Sequence, residues 1–248
     1  DSRVSRGLGD VYKRQVGWLP RAALADAMDE QTMMIFLGIN RRGKPLFAAD
    51  VSRLSNPEDD GPFRGLGVFE DVRALAAAGD MPDTELAILA QAKAMLDWNL
   101  RHGFCSQCGS PTAMAEAGYK RVCDNCGAEH FPRTDPVVIM LATHEDACLV
   151  GRQKGWPEGM FSSLAGFMEP GETIEEAVAR EMQEEAGIDI IGVRYLGTQP
   201  WPFPASMMIG CLAEAAGRDI TLDEEELEEA RRISREDVRR AMNGDGPI

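Results

Sequence analysis

The sequence predicts a mixed α/β chain on three observations. Apolar runs of strand length recur along it, two capped helical stretches interrupt them, and a double pair of cysteines separates an earlier lobe from a later one. With 248 residues, 44% of them hydrophobic, the chain can bury one large core or two modest ones. No apolar run approaches the roughly 18 residues that span a membrane, and the start lacks the apolar centre of a secretory signal, so a cytoplasmic protein without a membrane partner is expected. The net charge of -15 argues against a broad, sequence-independent nucleic-acid surface, which Lys and Arg would have to dominate. A local one stays open, because much of the acidic excess is concentrated in residues 171–185 and 223–229.

Residues 1–15 begin without Met and show no periodicity, so they read as a non-native or disordered tail. An amino-terminal α+β domain is expected over residues 16–82. Its apolar runs TMMIFLGIN and KPLFAADV flank Asn40-Arg41-Arg42-Gly43, a hairpin signal, and residues 56–61 form a polar loop. Arg64 is within reach of a substrate role but is of a type that usually lies on the surface. Pro82-Asp83-Thr84 opens a helix to about His102, carrying Leu86, Leu89, Met95 and Leu96, expected to be a connector over residues 83–103.

Residues 104–131 hold the cysteine pairs. Cys105 and Cys108, then Cys123 and Cys126, have zinc-ribbon spacing, and a glycine follows each pair to allow a tight knuckle. Four thiolates suit one structural Zn²⁺ and leave no open position for catalysis; redox sensing is the alternative. Cys148 and Cys211 sit singly in apolar runs and read as core. In residues 132–248, Pro136 to Leu141 predicts a buried strand, His144-Glu145-Asp146 an exposed hairpin turn, residues 147–151 a second strand and residues 162–166 a third.

The run from Gly166 to Ile188 follows. Thr173 with Glu176 makes a capping box and Gly187 a carboxy-terminal stop, so a helix is expected from Ile174 to Ala186. Ile174, Ala177 and Val178 share its apolar face, and the next turns of that face bring Glu181, Glu184 and Glu185. Carboxylates gathered on a buried stripe need a counter-charge, and Mg²⁺ or Mn²⁺ suits oxygen ligands that share a phosphate substrate. Arg180 is a second source of positive charge, able to pair with Glu172. A solvated acidic helix face is the plain alternative.

Gly166, Glu172, Arg180, Glu181, Met182, Glu184, Glu185, Gly187 and Ile188 stand at every defined position of the Nudix hydrolase signature, which this run resembles. The resemblance implies an α/β/α Nudix sandwich, preceded here by the zinc ribbon and the small α+β domain, and substrates built on a nucleoside diphosphate. It also implies that Glu181, Glu184 and Glu185 hold two or three Mg²⁺ or Mn²⁺ ions and activate water, with Glu185 the first choice of base. Glu172 and Arg180 would brace the loop and helix.

Further on, Gln199-Pro200-Trp201-Pro202-Phe203-Pro204-Ala205-Ser206 has too many prolines for a helix or a central strand. It reads as a stiff loop presenting rings and hydrogen-bonding groups, or as a Pro-rich connector. The octad resembles the motif of NADH pyrophosphatases of the NudC type, with Thr198 where those begin with Ser, and the zinc ribbon is that family's second hallmark. The resemblance covers roughly residues 105–230. It implies cleavage of NAD(H) to AMP and nicotinamide mononucleotide, removal of NAD caps from RNA 5′ ends, and a homodimer whose sites draw on both subunits. Within it Phe131 and Phe167 are candidate walls for the substrate rings, and the Ala165 carbonyl and Glu226 are candidate metal ligands. An acidic helix start explains the run around Glu226 as well. ADP-ribose hydrolysis, or RNA binding by a zinc ribbon beside an inactive Nudix domain, are the competing readings. The family continues into a Pro-rich turn and a further helix, so truncation at Ile248 is expected.

Overall fold

The computed structural model describes residues 14–59 and 61–244, in two compact units. The tail expected over residues 1–15 therefore lies largely outside the described residues, as does the chain end after Gly244; Arg14 is held by Glu70 at 2.7 Å and Asp80 at 3.1 Å. Among the described residues no helix is long and apolar enough to cross a membrane.

The first unit runs up to Arg133 and includes Pro202–Ala205. β1 (Met34–Ile39) and β2 (Pro45–Ala49) form the expected hairpin, whose turn is tied by Asn40 Oδ1 accepting from the Arg42 and Lys44 amides. α1 (Val72–Ala78) starts at Asp71, whose side chain accepts from the Ala74 amide, and stops at Gly79 in the left-handed region. α2 (Asp83–Arg101) does not stand free as a connector. Its buried Asn99 donates to the Gly118 carbonyl at 2.9 Å and accepts from Arg121 at 3.2 Å, which knots the helix to the ribbon. The ribbon sheet is β3 (Thr112–Ala115), β4 (Lys120–Cys123) and β5 (Glu129–His130).

The second unit holds Thr134–Trp201 and the chain from Ser206 onward. Its strands are β6 (Asp135–His144), β7 (Ala147–Arg152), β8 (Leu164–Phe167), β9 (Ile190–Trp201), β10 (Ser206–Ala215) and β11 (Glu229–Ser234). The sheet order is β11-β7-β6-β10-β9, with β10 parallel to β6. Because β10 takes one whole edge of β6, β7 and β8 divide the other: β7 pairs at Thr143 and His144, β8 at Val137 to Met140. That division brings β8 to the helix that follows it.

The helices are α3 (Ile174–Ala186) and α4 (Arg235–Met242). Alternation along β6 sends Val138, Met140 and Ala142 into one core with Ala177, Val178 and Met182 of α3, while Leu141 joins Cys148, Val150, Ile233 and Val238 of α4 in another. The two helices thus cover opposite faces, giving the α/β/α sandwich. Met182 is fully buried, a contribution of about 1.5–3 kcal/mol from side-chain burial. Cys148 and Cys211 are buried as expected.

Two local expectations are corrected. His144 is not a solvated hairpin tip: it is half-buried and its Nδ1 lies 2.9 Å from the Ala215 carbonyl, because β10 runs alongside β6 to its end. The octad is not all loop. Gln199, Pro200 and Trp201 extend β9, Ser206 opens β10, and the connection is confined to Pro202–Ala205. Pro200 is tolerated in the ladder because β9 is the edge strand, where a missing N–H faces no partner.

Candidate active site and metal centre

α3 has the bounds its local signals predict. Thr173 accepts from the Glu176 amide at 3.2 Å, Glu176 accepts from the Thr173 amide at 2.8 Å, and Gly187 ends the helix at φ 63°. Its inner face is Ala177, Val178, Glu181, Met182, Glu185 and Ala186, all buried. Glu184 departs from the expectation, with a side chain 59% exposed, because it lies 100° around the helix from Glu185. The buried acid pair is Glu181 and Glu185, and Glu184 stands at its rim.

Gly166 explains how a carboxylate fits there. A Cβ built at this position would lie 1.8 Å from Glu181 Cδ and 2.0 Å from its Oε1, so only glycine on β8 admits the Glu181 head group against the strand. Next to it, the Ala165 position pairs with Ile139, and the Phe167 ring is exposed.

Arg180 organises the loop before the helix. Its Nε and Nη2 take the two oxygens of Glu172 at 2.6 and 2.9 Å, Nη2 also reaches the Phe167 carbonyl at 2.9 Å, and Nη1 reaches Glu181 at 2.8 Å and Glu184 at 3.0 Å. Glu172 accepts from the Glu169 amide as well. The guanidinium, then that amide, hold the Glu172 carboxyl down at about 2. Glu185 is the opposite case. Burial first, then the charges of Glu181 and Glu226, push its carboxyl up to about 8.

Glu226 is not on a helix. Residues 224–226 form a turn hung from the end of α3 by the Asp223 amide, which donates to the Glu185 carbonyl at 3.1 Å; Asp223 Oδ1 accepts from the Glu225 amide at 2.8 Å, and Leu227 is buried. The signal missed in the sequence was Asp223 itself, a side chain suited to an Asx turn at the head of an acidic run. Among the described residues, only Cys105, Cys108, Cys123 and Cys126 bring three or more ligand atoms within 4.8 Å of one another. Of the α3 carboxylates, Arg180 holds Glu181 and Glu184, and the set is not drawn to one point.

The donor set nevertheless fits a divalent cation, because a buried acid pair with one carboxyl forced to retain its proton gains most from an added positive charge. The thiols fit zinc more closely. Sγ separations are 3.7 Å for Cys105–Cys126 and 3.5 Å for Cys108–Cys123 and Cys108–Cys126. Four sulfurs about 2.3 Å from a tetrahedral Zn²⁺ would stand about 3.8 Å apart. The knuckles match each other: Gly109 at φ 73° donates to the Cys105 carbonyl, and Gly127 at φ 72° to that of Cys123. Hydrogen bonds from Ser110 lead in bringing the Cys108 thiol down to about 6, favouring the thiolate a metal needs.

The remaining candidates are distributed between the units. In the first, Phe131 is 60% exposed, while the Phe203 ring is already engaged, with Arg73 Cζ 4.7 Å and Lys93 Nζ 5.3 Å from its centroid. Pro202 is buried and Pro204 exposed. In the second, Gln199 and Pro200 are exposed on the edge strand, Trp201 is half-buried and Ser206 buried. A groove of about 660 Å³ lies among Thr143, His144, Ile191, Arg194, Leu212 and Glu214, and none of the box residues lines it.

The NUDIX domain family matches residues 132–248, the NADH pyrophosphatase zinc ribbon domain residues 100–131, and the NADH pyrophosphatase-like rudimentary NUDIX domain residues 17–98. The last match extends the likeness to the amino-terminal part. NAD-capped RNA hydrolase NUDT12 of Homo sapiens is 40% identical over 239 residues, covering 86% of this chain and 52% of that protein. NAD-capped RNA hydrolase NudC of Mycobacterium bovis is 39% identical over 211 residues, covering 84% and 65%. Nudix hydrolase 19, chloroplastic, of Arabidopsis thaliana is 44% identical over 187 residues, covering 70% and 43%. The chain thus spans about half to two thirds of the length of the first two relatives and less of the third. With an intact signature on α3, a four-thiol ribbon and matches along its length, the chain belongs to the Nudix superfamily, in the family that carries the NADH pyrophosphatase zinc ribbon.

Proposed function

We propose that this protein hydrolyses the pyrophosphate of NAD(H), giving AMP and nicotinamide mononucleotide, and that it removes NAD caps from RNA 5′ ends. The observation that carries the reading is the buried pair Glu181 and Glu185, admitted against β8 by Gly166. The NAD-capped RNA hydrolases among its relatives support the substrate class. Glu181, Glu184, Glu185, Glu226 and the Ala165 carbonyl would hold two or three Mg²⁺ or Mn²⁺ ions. When bound, these supply charge neutralisation at the pyrophosphate and a lowered pKa for water.

Glu185 accepts the proton of the attacking water as general base. Arg180 and Glu172 keep the loop closed on the helix and hold Glu181 in place. Phe131, Phe167 and Trp201 offer rings for the substrate's bases, and Gln199, Pro200, Pro202, Pro204, Ala205 and Ser206 shape and bond their surroundings. Phe203 serves to seat the tip between Arg73 and Lys93. The ribbon braces residues 104–131 around one structural Zn²⁺. We further infer a cytoplasmic homodimer, with an amino-terminal domain over residues 16–82, a helix over 83–103 and a catalytic domain over 132–248.

Two results are expected. Incubation with NADH and Mg²⁺ or Mn²⁺ yields AMP and reduced nicotinamide mononucleotide, and chelation stops it; faster turnover of ADP-ribose than of NADH would reassign the substrate. Gly166→Ala forces Glu181 away from β8 and weakens Mn²⁺ binding by about 100-fold with the circular dichroism spectrum unchanged. Parent-like affinity in that variant would remove Glu181 from the ligand set.

A further inference from the structure

The turn bearing Glu226 is attached on two sides. On one, the Asp223 amide donates to the Glu185 carbonyl. On the other, Lys154 Nζ donates to the Glu224 carbonyl at 2.7 Å, the Arg152 carbonyl accepts from the Glu228 amide at 2.9 Å, and Arg152 Nη2 lies 3.4 Å from a Glu228 carboxylate oxygen. The same Nη2 donates to the Trp156 carbonyl at 2.8 Å, so Arg152 joins two loops. Its side chain is 14% exposed, and its Nε is buried without a partner among the described residues.

The turn needs such attachment. Asp223, Glu224, Glu225, Glu226, Glu228 and Glu229 repel one another, and Glu224, Glu225 and Glu226 are exposed, anchored on the α3 side by the Asp223 amide and the buried Leu227. A backbone carbonyl drawn to the ammonium of Lys154, two residues beyond the arginine that pairs with Glu228, opposes that repulsion.

We propose that Lys154 and Arg152 are positioning residues that clasp this turn and set where the Glu226 carboxylate stands relative to Glu185. The proposal rests on the hydrolase reading given above. Neither residue touches the reacting atoms; Lys154 acts through the backbone of Glu224, and Arg152 through the amide and carboxylate of Glu228. Because Lys154 is exposed, its removal costs little global stability, so a defect confined to the site is separable from unfolding.

The test compares Lys154→Met and Lys154→Arg in the full chain. In Lys154→Met, kcat for NADH falls about tenfold with KM within about twofold, and amide exchange over residues 225–227 accelerates about tenfold at an unchanged Tm. Lys154→Arg restores both. Parent-like exchange in Lys154→Met overturns the clasp, and faster exchange at parent kcat overturns its role in positioning. A Lys154→Arg protein as impaired as Lys154→Met also overturns it. If the parent itself leaves NADH intact, the hydrolase reading falls, and the exchange rates alone then decide whether the clasp exists.

Discussion

Glu185→Gln is expected to lower kcat for NADH by about 10²–10⁴-fold with the fold intact, the range over which a positioned base contributes. Gln keeps the shape and removes the proton acceptor, and the site around it is already shaped by Met182 and Ala186 on the same helix. The variant should also change the response to pH. The folded carboxyl titrates at about 8 against an ordinary value of 4.5, so the folded state holds a proton the unfolded chain has lost between those limits. Relative stability is therefore full below 4.5 and declines as pH rises toward 8. Thermal melts in chelator should fall across that window for the parent and flatten for Glu185→Gln. Glu172 behaves in the opposite sense: lowered to about 2, it stabilises above 4.5 and loses that contribution as pH falls toward 2. A divalent ion must displace the Glu185 proton, so its affinity should rise with pH up to about 8. Near-parent turnover in Glu185→Gln would assign the base elsewhere.

Cys123→Ser is expected to empty the ribbon of zinc and unfold it. β3, β4 and β5 are only 4, 4 and 2 residues long, and Cys105, Cys123, Thr112 and Gly118 are the buried residues of residues 104–131. So little burial cannot offset the ordering entropy of that segment. Structural zinc supplies about 10–16 kcal/mol in small domains, so its loss outweighs the hydrogen bonds that remain. Metal analysis should give one zinc per chain in the parent and none in the variant. Limited proteolysis should then cut within residues 104–131. A zinc-free variant that resists cleavage there would show that Arg121, with its bonds to Thr112 and Asn99, holds the ribbon unaided.

Much of this was legible before any coordinates. The capping box at Thr173, the stop at Gly187, the knuckle glycines and the hairpin turn at Asn40 are contacts between residues a few positions apart, and the chain encodes them within that span. Periodicity likewise put Glu181 and Glu185 on the inner face of α3. It erred over Glu184, since a stripe read at 100° per residue has no sharp edge and only the packed sheet defines one.

What the chain determined alone was therefore α2 and α3, the turn at Asn40, the ribbon with its knuckles and the signature by which its family is recognised. Tertiary structure decided which side chains meet: that Gly166 makes room for Glu181, that Arg180 serves Glu172, Glu181 and Glu184 together, that Gln199, Pro200 and Trp201 of the octad lie on an edge strand, and that Lys154 reaches the turn of Glu226. These pairings depend on strand order and register, which arise from contacts far apart in sequence, and no short stretch of residues contains them.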